Sequence, residues 1–205
     1  MIEGDSSEYD LITKEINKLK FEDVVLTCEI GLRKGLGSKI IMDAVLAKGV
    51  ANYRHLAVDP YGNLNYKHYD DMPAYTADYT DEMKVHTLQE LHKYKEFAFF
   101  EFPDEYFFET MGDGYPFSIE GKTFLFGQYA VVHLDGPHTS QAVQKEVDFF
   151  VKRMAKNSLI IIDDYKTMNL KTVRWFLEGK MKYEPVVEGE SKLIFKRVLD
   201  WQKIF

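Results

Sequence analysis

Residues 23–49, DVVLTCEIGLRKGLGSKIIMDAVLAKG, give the clearest indication of the fold. Its first part, residues 23–31, is a short apolar run rich in β-branched side chains, which predicts a buried strand that ends at a glycine. A Gly-rich turn follows. Residues 37–48 then have the apolar spacing of a helix, which Gly49 closes. The stretch therefore predicts a strand, a tight turn and a helix.

The same alternation continues along the rest of the chain. A second buried strand stops at Asp59 and Pro60, which completes a β-α-β unit with a right-handed crossover. The other predicted elements are an N-terminal amphipathic helix over 8–20, strands over 53–63, 97–102, 129–135 and 158–164, helices near 79–95, 140–155 and 168–178, and a hairpin formed by 183–189 and 191–198. Residues 65–128 are otherwise predicted to form an irregular lid or substrate region.

This order of elements predicts an α/β fold. Strands that alternate with helices form a doubly wound, Rossmann-like sheet with helices on both faces. The sheet is expected to have seven strands and to be mainly parallel, with an antiparallel strand supplied by the C-terminal hairpin. A chain of 205 residues with 45% hydrophobic content is predicted to form one domain, residues 1–205.

Composition excludes several classes of protein. The acidic start MIEGDSSEYD and the lack of a long apolar run predict a cytoplasmic protein that does not enter membranes. The formal charge of −7 and the lack of a Lys/Arg cluster argue against a nucleic-acid partner. The single cysteine, Cys28, cannot form an intramolecular disulfide, and its place in an apolar strand predicts a buried core residue.

The turn after the first strand combines an acidic residue with several glycines. A dinucleotide site would have the spacing G-x-G-x-x-G, whereas this turn has G-x-x-x-G-x-G after a carboxylate that would repel a pyrophosphate. The carboxylate could instead accept hydrogen bonds from a cationic amino acid group. A tight turn without any ligand would use the same residues. The candidate ligand contacts are Glu29, Gly31, Gly35, Gly37 and Ser38.

Asp59 ends the second strand, where a carboxylate can accept hydrogen bonds from both hydroxyls of a ribose. The alternative is that it caps a loop, since Asp-Pro commonly opens turns. Combined with the turn after the first strand, Asp59 favours a ligand that carries adenosine but no phosphates.

Two later strands also end in carboxylates. The first ends in HLDGPH, with Asp135 and His138, and the second ends in IIIDDY, with Asp163 and Asp164. Neighbouring strand ends lie about 5 Å apart, so the three carboxylates are expected to converge and to attract a hard cation such as Mg²⁺. The alternative is a helix cap and a solvated side chain.

His138 is a candidate general base for a hydroxyl substrate, and a metal-bound Asp135 could serve instead. His138 could also stack beside a cofactor or cap the following helix. The other histidines lack metal-ligand spacing and are interpreted as structural residues: His55, His68, His86, His92 and His133.

These residues resemble a known family. The Glu-Ile-Gly turn, the Asp-Pro-Tyr at Asp59, the Asp-Gly-x-His at Asp135 and the Asp-Asp-Tyr at Asp163 are similar to motifs of class I methyltransferases that use S-adenosylmethionine (SAM). Within that class, the chain resembles the branch that contains macrolide-sugar O-methyltransferases and cephalosporin-hydroxylase-like proteins. The resemblance covers residues 23–198 in order and spacing.

The resemblance implies a role for each motif. Glu29, Gly31 and Ser38 would contact the methionine part of SAM, and Asp59 would bind the ribose. Asp135, Asp163 and Asp164 would bind a divalent metal that positions the acceptor hydroxyl. Beyond the motifs, Glu101 and Asp104 are suggested as contacts to the adenine edge. The turn differs from the family pattern in the bulk of Leu32 to Lys34.

Three functions are compatible with these observations. The first is O-methylation of a small-molecule hydroxyl with SAM and Mg²⁺, by a protein that could form a homo-oligomer. The second is a reaction with NAD or a nucleotide sugar on a similar sheet, which Glu29 and the glycine spacing disfavour. The third is a non-catalytic SAM-binding scaffold, although a scaffold does not require clustered carboxylates.

Overall fold

A computed structural model describes residues 2, 4 and 6–198. The predicted domain also includes residues 1, 3, 5 and 199–205, which lie outside this part. Seven strands of the described part form one sheet: β1 (Val24–Ile30), β2 (Asn52–Val58), β5 (Phe97–Phe100), β8 (Tyr129–Leu134), β9 (Met154–Ile162), β10 (Tyr183–Glu188) and β11 (Leu193–Arg197). Their spatial order is β10-β11-β9-β8-β1-β2-β5.

The sheet is mainly parallel. Strand β1 pairs parallel with β2 and β8, and these two strands pair parallel with β5 and β9. Strand β11 runs antiparallel to both β9 and β10. The predicted doubly wound, seven-stranded sheet with an antiparallel C-terminal hairpin is therefore confirmed. Strand order reverses beside β1, which creates the switch point where ligands bind in such sheets.

Helices cover both faces of the sheet. Side chains of β1 alternate between the faces, so that Leu26 and Cys28 pack in one apolar cluster and Val25 packs in the other. The first cluster includes residues of α4 (Asp104–Thr110), α5 (Ser140–Phe150) and α6 (Lys171–Arg174), which continues as a π-helix over Trp175–Lys180. The second includes residues of α1 (Tyr9–Asn17), α2 (Leu36–Leu46) and α3 (Asp81–Leu91). Cys28 is fully buried, as predicted.

The segment 65–128 is more regular than the sequence predicts. Besides α3, β5 and α4, it contains the second strand of one hairpin and the whole of another. The hairpins are β3–β4 (Gly62–Tyr66 and Tyr75–Tyr79) and β6–β7 (Tyr115–Ile119 and Lys122–Phe126). Few of their side chains are buried, so they lack the strong apolar pattern that makes a strand visible in a sequence. Among the described residues, no helix is long and apolar enough to cross a membrane.

Candidate active site

A cavity of about 380 Å³ lies at the carboxyl ends of the central strands. This volume is in the range of sites for small molecules. Strand pairing brings the strand ends to one level: Gly31 N–H donates to the carbonyl of Val58, and Asp135 N–H donates to the carbonyl of Ile30. The predicted site residues that line the cavity are Gly31, Asp59, Asp104, Asp135, His138, Asp163 and Asp164.

Gly31 lets two strand ends approach closely. Its φ is +85°, a conformation that side chains disfavour, and a Cβ there would lie 2.0 Å from the backbone oxygen of Asp135. Glycine is thus required by the contact between the end of β1 and the residue after β8. The backbone at Gly31 faces the cavity without a side chain in the way.

Asp59 anchors the turn that follows β1. Its Oδ2 accepts the backbone N–H of Arg33 at 2.8 Å, and its Oδ1 accepts that of Tyr61 at 2.8 Å. The Tyr61 hydroxyl donates to the carbonyl of Arg33. Burial raises the pKa of Asp59 above its usual value, although these backbone N–H groups favour the carboxylate. The extra bulk at Leu32 to Lys34 therefore belongs to an ordered turn that holds Asp59 at the cavity.

Glu29 lies below the cavity in a buried polar network. It is 1% exposed, its Oε2 accepts from the Ser38 hydroxyl, and its Oε1 lies 2.6 Å from His133 Nδ1. Gly37 makes room for this carboxylate, because a Cβ at Gly37 would lie 2.0 Å from Glu29 Oε1. The expected direct ligand contacts Glu29, Gly35, Gly37 and Ser38 are thus not among the residues that line the cavity.

The network continues behind Ser38. His55 lies 2.7 Å from Ser38 Oγ through Nε2 and 2.7 Å from Thr27 Oγ1 through Nδ1, and Thr27 also contacts the Tyr53 hydroxyl at 2.8 Å. Burial lowers the pKa of His55 to about 3, so the ring is neutral and one nitrogen donates while the other accepts. Since the Ser38 hydroxyl donates to Glu29, it accepts from His55 Nε2, which fixes the direction of each hydrogen bond.

Asp135 and Asp163 lie side by side at the ends of β8 and β9. Burial and the neighbouring Asp163 carboxylate raise the pKa of Asp135. Lys192 Nζ lies 2.6 Å from Asp163 Oδ1, and both side chains are at most 1% exposed. Although burial opposes ionisation, the neighbouring His133 and Lys192 side chains lower the pKa of Asp163 to about 2. Asp163 is therefore the ionised member of the two.

His138 lies beside these acidic side chains and lines the cavity. Its Nε2 is 3.8 Å from Asp135 Oδ1 and 3.9 Å from Asp164 Oδ2, and its ring also hydrogen-bonds to the backbone of Asp163. Burial lowers the pKa of His138 to about 4, so the ring is neutral at pH 7 and can accept a proton. Tyr69 stacks on the ring with centroids 5.7 Å apart.

Several cavity residues are not predicted by the sequence. Hairpin β3–β4 and its loop bring aromatic side chains to the cavity, among them His68, which the sequence interpretation leaves as structural. The His68 ring meets His138 edge to face at 4.8 Å between centroids. Ser6 also lines the cavity, and its hydroxyl donates to Asp163 Oδ1 at 3.0 Å. The signal in the sequence is the density of aromatics after Tyr61, but nothing in it shows which of them face the site.

Not all predicted acidic contacts reach the cavity. Asp104 lines it, and burial raises the pKa of its carboxyl group. Glu101 is absent from its lining and pairs with Lys84 at 2.8 Å. Its suggested contact with an adenine edge therefore lacks geometric support.

The carboxylates do not form the expected metal group. Of the acidic, histidine and cysteine side chains that the structure describes, one group of three has a ligand atom from each within 4.8 Å of the others: Glu29, His133 and Asp135. Asp135, Asp163 and Asp164 do not form such a group. Glu29 Oε1 and His133 Nδ1 are already bonded to each other, so these two atoms are not free to bind a metal.

A family model described as "Methyltransferase domain" matches residues 28–165. No curated protein sequence matches the chain. Among solved structures, the chain is similar to the O-methyltransferase NovP, with 13% identity, a TM-score of 0.62, and coverage of 93% of this chain and 79% of that one.

Two further structures share the fold. An O-methyltransferase from Bacillus cereus in complex with S-adenosylhomocysteine (SAH) is 10% identical, with a TM-score of 0.55. The match covers 93% of this chain and 78% of that one. The O-methyltransferase TomG from Streptomyces achromogenes, involved in tomaymycin synthesis and in complex with SAM, is 9% identical, with a TM-score of 0.56 and coverage of 94% and 78%.

Proposed function

Because the chain belongs to the methyltransferase-domain family, we propose that it transfers the methyl group of SAM to a hydroxyl group of a small molecule. The observation that carries this proposal is the cavity itself. The cavity is lined at one strand end by the buried carboxyl group of Asp59, which is suited to bind a ribose. It is also lined by the neutral ring of His138, which is suited to accept a proton. The named O-methyltransferases of the same fold support the choice of a hydroxyl acceptor.

The cofactor would lie across the ends of β1 and β2. Asp59 faces the cavity while its oxygens hold two backbone N–H groups, and each carboxylate oxygen has further capacity to accept a ribose hydroxyl. Gly31 lets the methionine part approach the backbone. The cofactor would not contact Glu29, Gly37 or Ser38 directly. Their buried network lies below the cavity and fixes the turn that the cofactor would contact.

The acceptor would lie between the cofactor and His138. SAM supplies an activated methyl group on a sulfonium. Neutral His138 takes the proton from the acceptor hydroxyl, the oxygen forms a bond to the methyl carbon, and the carbon–sulfur bond breaks with its electron pair on sulfur. Asp164, whose Oδ2 lies 3.9 Å from His138 Nε2, and the ionised Asp163 stabilise the imidazolium that forms. Positioning of the two reactants supplies much of the rate.

The predicted assistance by a divalent metal does not fit the donor set. Asp163 Oδ1 already receives the Lys192 ammonium, the Ser6 hydroxyl and the backbone N–H of Asp164. The three predicted ligands also do not bring one atom each within 4.8 Å. The proposed reaction therefore proceeds through His138 without a metal step.

The test is transfer of labelled methyl from SAM to a panel of small-molecule hydroxyl compounds. His138→Asn removes the base, so we expect turnover to fall about 100-fold or more while SAM binding is kept within threefold. His86→Asn, on the exposed side of α3, is the matched control and is expected to keep full activity. Full turnover in His138→Asn would contradict the assigned base. SAM binding without transfer to any acceptor would favour a scaffold.

A further inference from the structure

Lys192 is a buried cation beside the site. Its side chain is 0% exposed, and its Nζ lies 2.6 Å from Asp163 Oδ1 and 2.7 Å from Ser6 Oγ. The ammonium also lies 4.7 Å from the centre of the Tyr9 ring, within the range of a cation–π contact. These three contacts are thus with a carboxylate, a hydroxyl and an aromatic face.

The N-terminal segment fixes Lys192 in this place. The Glu8 carboxylate accepts the backbone N–H groups of Glu190, Ser191 and Lys192 at 2.9, 2.8 and 3.1 Å. The hydroxyls of Ser7 and Ser191 are 3.0 Å apart. This contact holds the turn between β10 and β11 against the segment that precedes α1. The position of the ammonium is therefore set by several bonds from two distant parts of the chain.

The Lys192 ammonium balances the charge of Asp163, and Lys192 itself is not among the residues that line the cavity. Carboxylates that converge at strand ends repel one another unless a positive charge joins them. Lys192 supplies that charge on a side chain of the protein. A divalent cation bound to the same carboxylate would lie close to the ammonium and would be repelled by it.

We propose that Lys192 is the resident cation of the neighbouring carboxyl groups of Asp135 and Asp163, and that this enzyme transfers methyl groups without a divalent metal. The inference rests on the proposed function. Lys192 is a positioning residue, because it is buried and is not among the residues that line the cavity. It holds Asp163, whose backbone hydrogen-bonds to the His138 ring.

The experiment titrates the full chain with Mn²⁺ in the presence of S-adenosylhomocysteine and follows free Mn²⁺ by electron paramagnetic resonance. For wild type we expect no saturable binding tighter than about 1 mM. Lys192→Met removes the charge and is expected to bind Mn²⁺ at least tenfold more tightly than wild type. Lys192→Arg keeps the charge and is expected to bind as weakly as wild type.

Two results would overturn the inference. One is that wild type binds one Mn²⁺ per chain with a dissociation constant below about 100 µM. The other is that Lys192→Met folds and binds Mn²⁺ no better than wild type. If Lys192→Met does not fold, the wild-type titration still decides. Binding of S-adenosylhomocysteine is measured on the same samples, so failure of the cofactor assignment is seen separately from uptake of metal.

Discussion

Replacement of Asp59 by Asn tests the proposed ribose contact in an almost isosteric change. The carboxylate would accept hydrogen bonds from the ribose as an ionised group, at about 1.5–3 kcal/mol each, whereas an amide oxygen offers about 0.5–1.5 kcal/mol. Both oxygens of Asp59 also hold backbone N–H groups, those of Arg33 and Tyr61. Since an amide has one oxygen, one of these two N–H groups would face the Asn amino group.

The loss of a charged acceptor and of one turn anchor together amount to about 2–4 kcal/mol, or roughly 30- to 1,000-fold in affinity. Calorimetric titration with S-adenosylhomocysteine measures this change, and thermal unfolding verifies that the variant is folded. Asp43→Asn is the matched control. Asp43 pairs with Lys39 on the outer side of α2, and its loss should leave affinity unchanged. An Asp59→Asn variant that binds within threefold of wild type would refute the ribose assignment.

Three further predictions concern stability. Gly31→Ala should lower the free energy of unfolding by at least about 2 kcal/mol, because the new Cβ meets the Asp135 backbone. Gly49→Ala is the control: Gly49 has a φ of +72° but no described atom within 4 Å of a Cβ, so the loss should be about 1 kcal/mol. Equal losses for the two variants in chemical denaturation would contradict this prediction. Glu146→Gln should stabilise the folded state by on the order of 1 kcal/mol at pH 7 but not below about pH 4. Burial raises the pKa of the Glu146 carboxyl group, which is 1% exposed, so at pH 7 the folded state holds a proton that the unfolded chain has lost. An unchanged melting temperature at pH 7 would refute this prediction. Because the pKa of His55 falls to about 3 on folding, the unfolded chain binds one proton more than the folded state between about pH 6 and 4. His55 should therefore make the free energy of unfolding fall by about 1.4 kcal/mol per pH unit as the pH falls. In urea unfolding, His55→Asn should show a shallower dependence of this free energy on pH, and an equal dependence would count against the prediction.

The sequence predicts the centre of the sheet well because the central strands are buried on both faces. Such strands are nearly continuous apolar runs, and those of β1, β8 and β9 stand out for that reason. Pairing between parallel strands then places the residues that follow them at one edge. Gly31, Asp59 and Asp135 reach the cavity for this reason and not because of a local motif.

The parts that the sequence does not predict depend on contacts between distant residues. Glu29 and Ser38 bond to each other, which a turn pattern cannot reveal, and this bond keeps both out of the cavity lining. Lys192 is one of many lysines in the sequence, and its contact with Asp163 arises because the turn before β11 docks on the N-terminal segment. The cytoplasmic location and the homo-oligomer stay predictions.

The most direct test of the central claim is calorimetric titration of the purified chain with S-adenosylhomocysteine, with and without Mg²⁺, and with NAD as the control ligand. We expect one site per chain with a dissociation constant in the micromolar range, no dependence on Mg²⁺, and no binding of NAD. Absence of binding, or tighter binding of NAD, would contradict the assignment of the cavity to SAM.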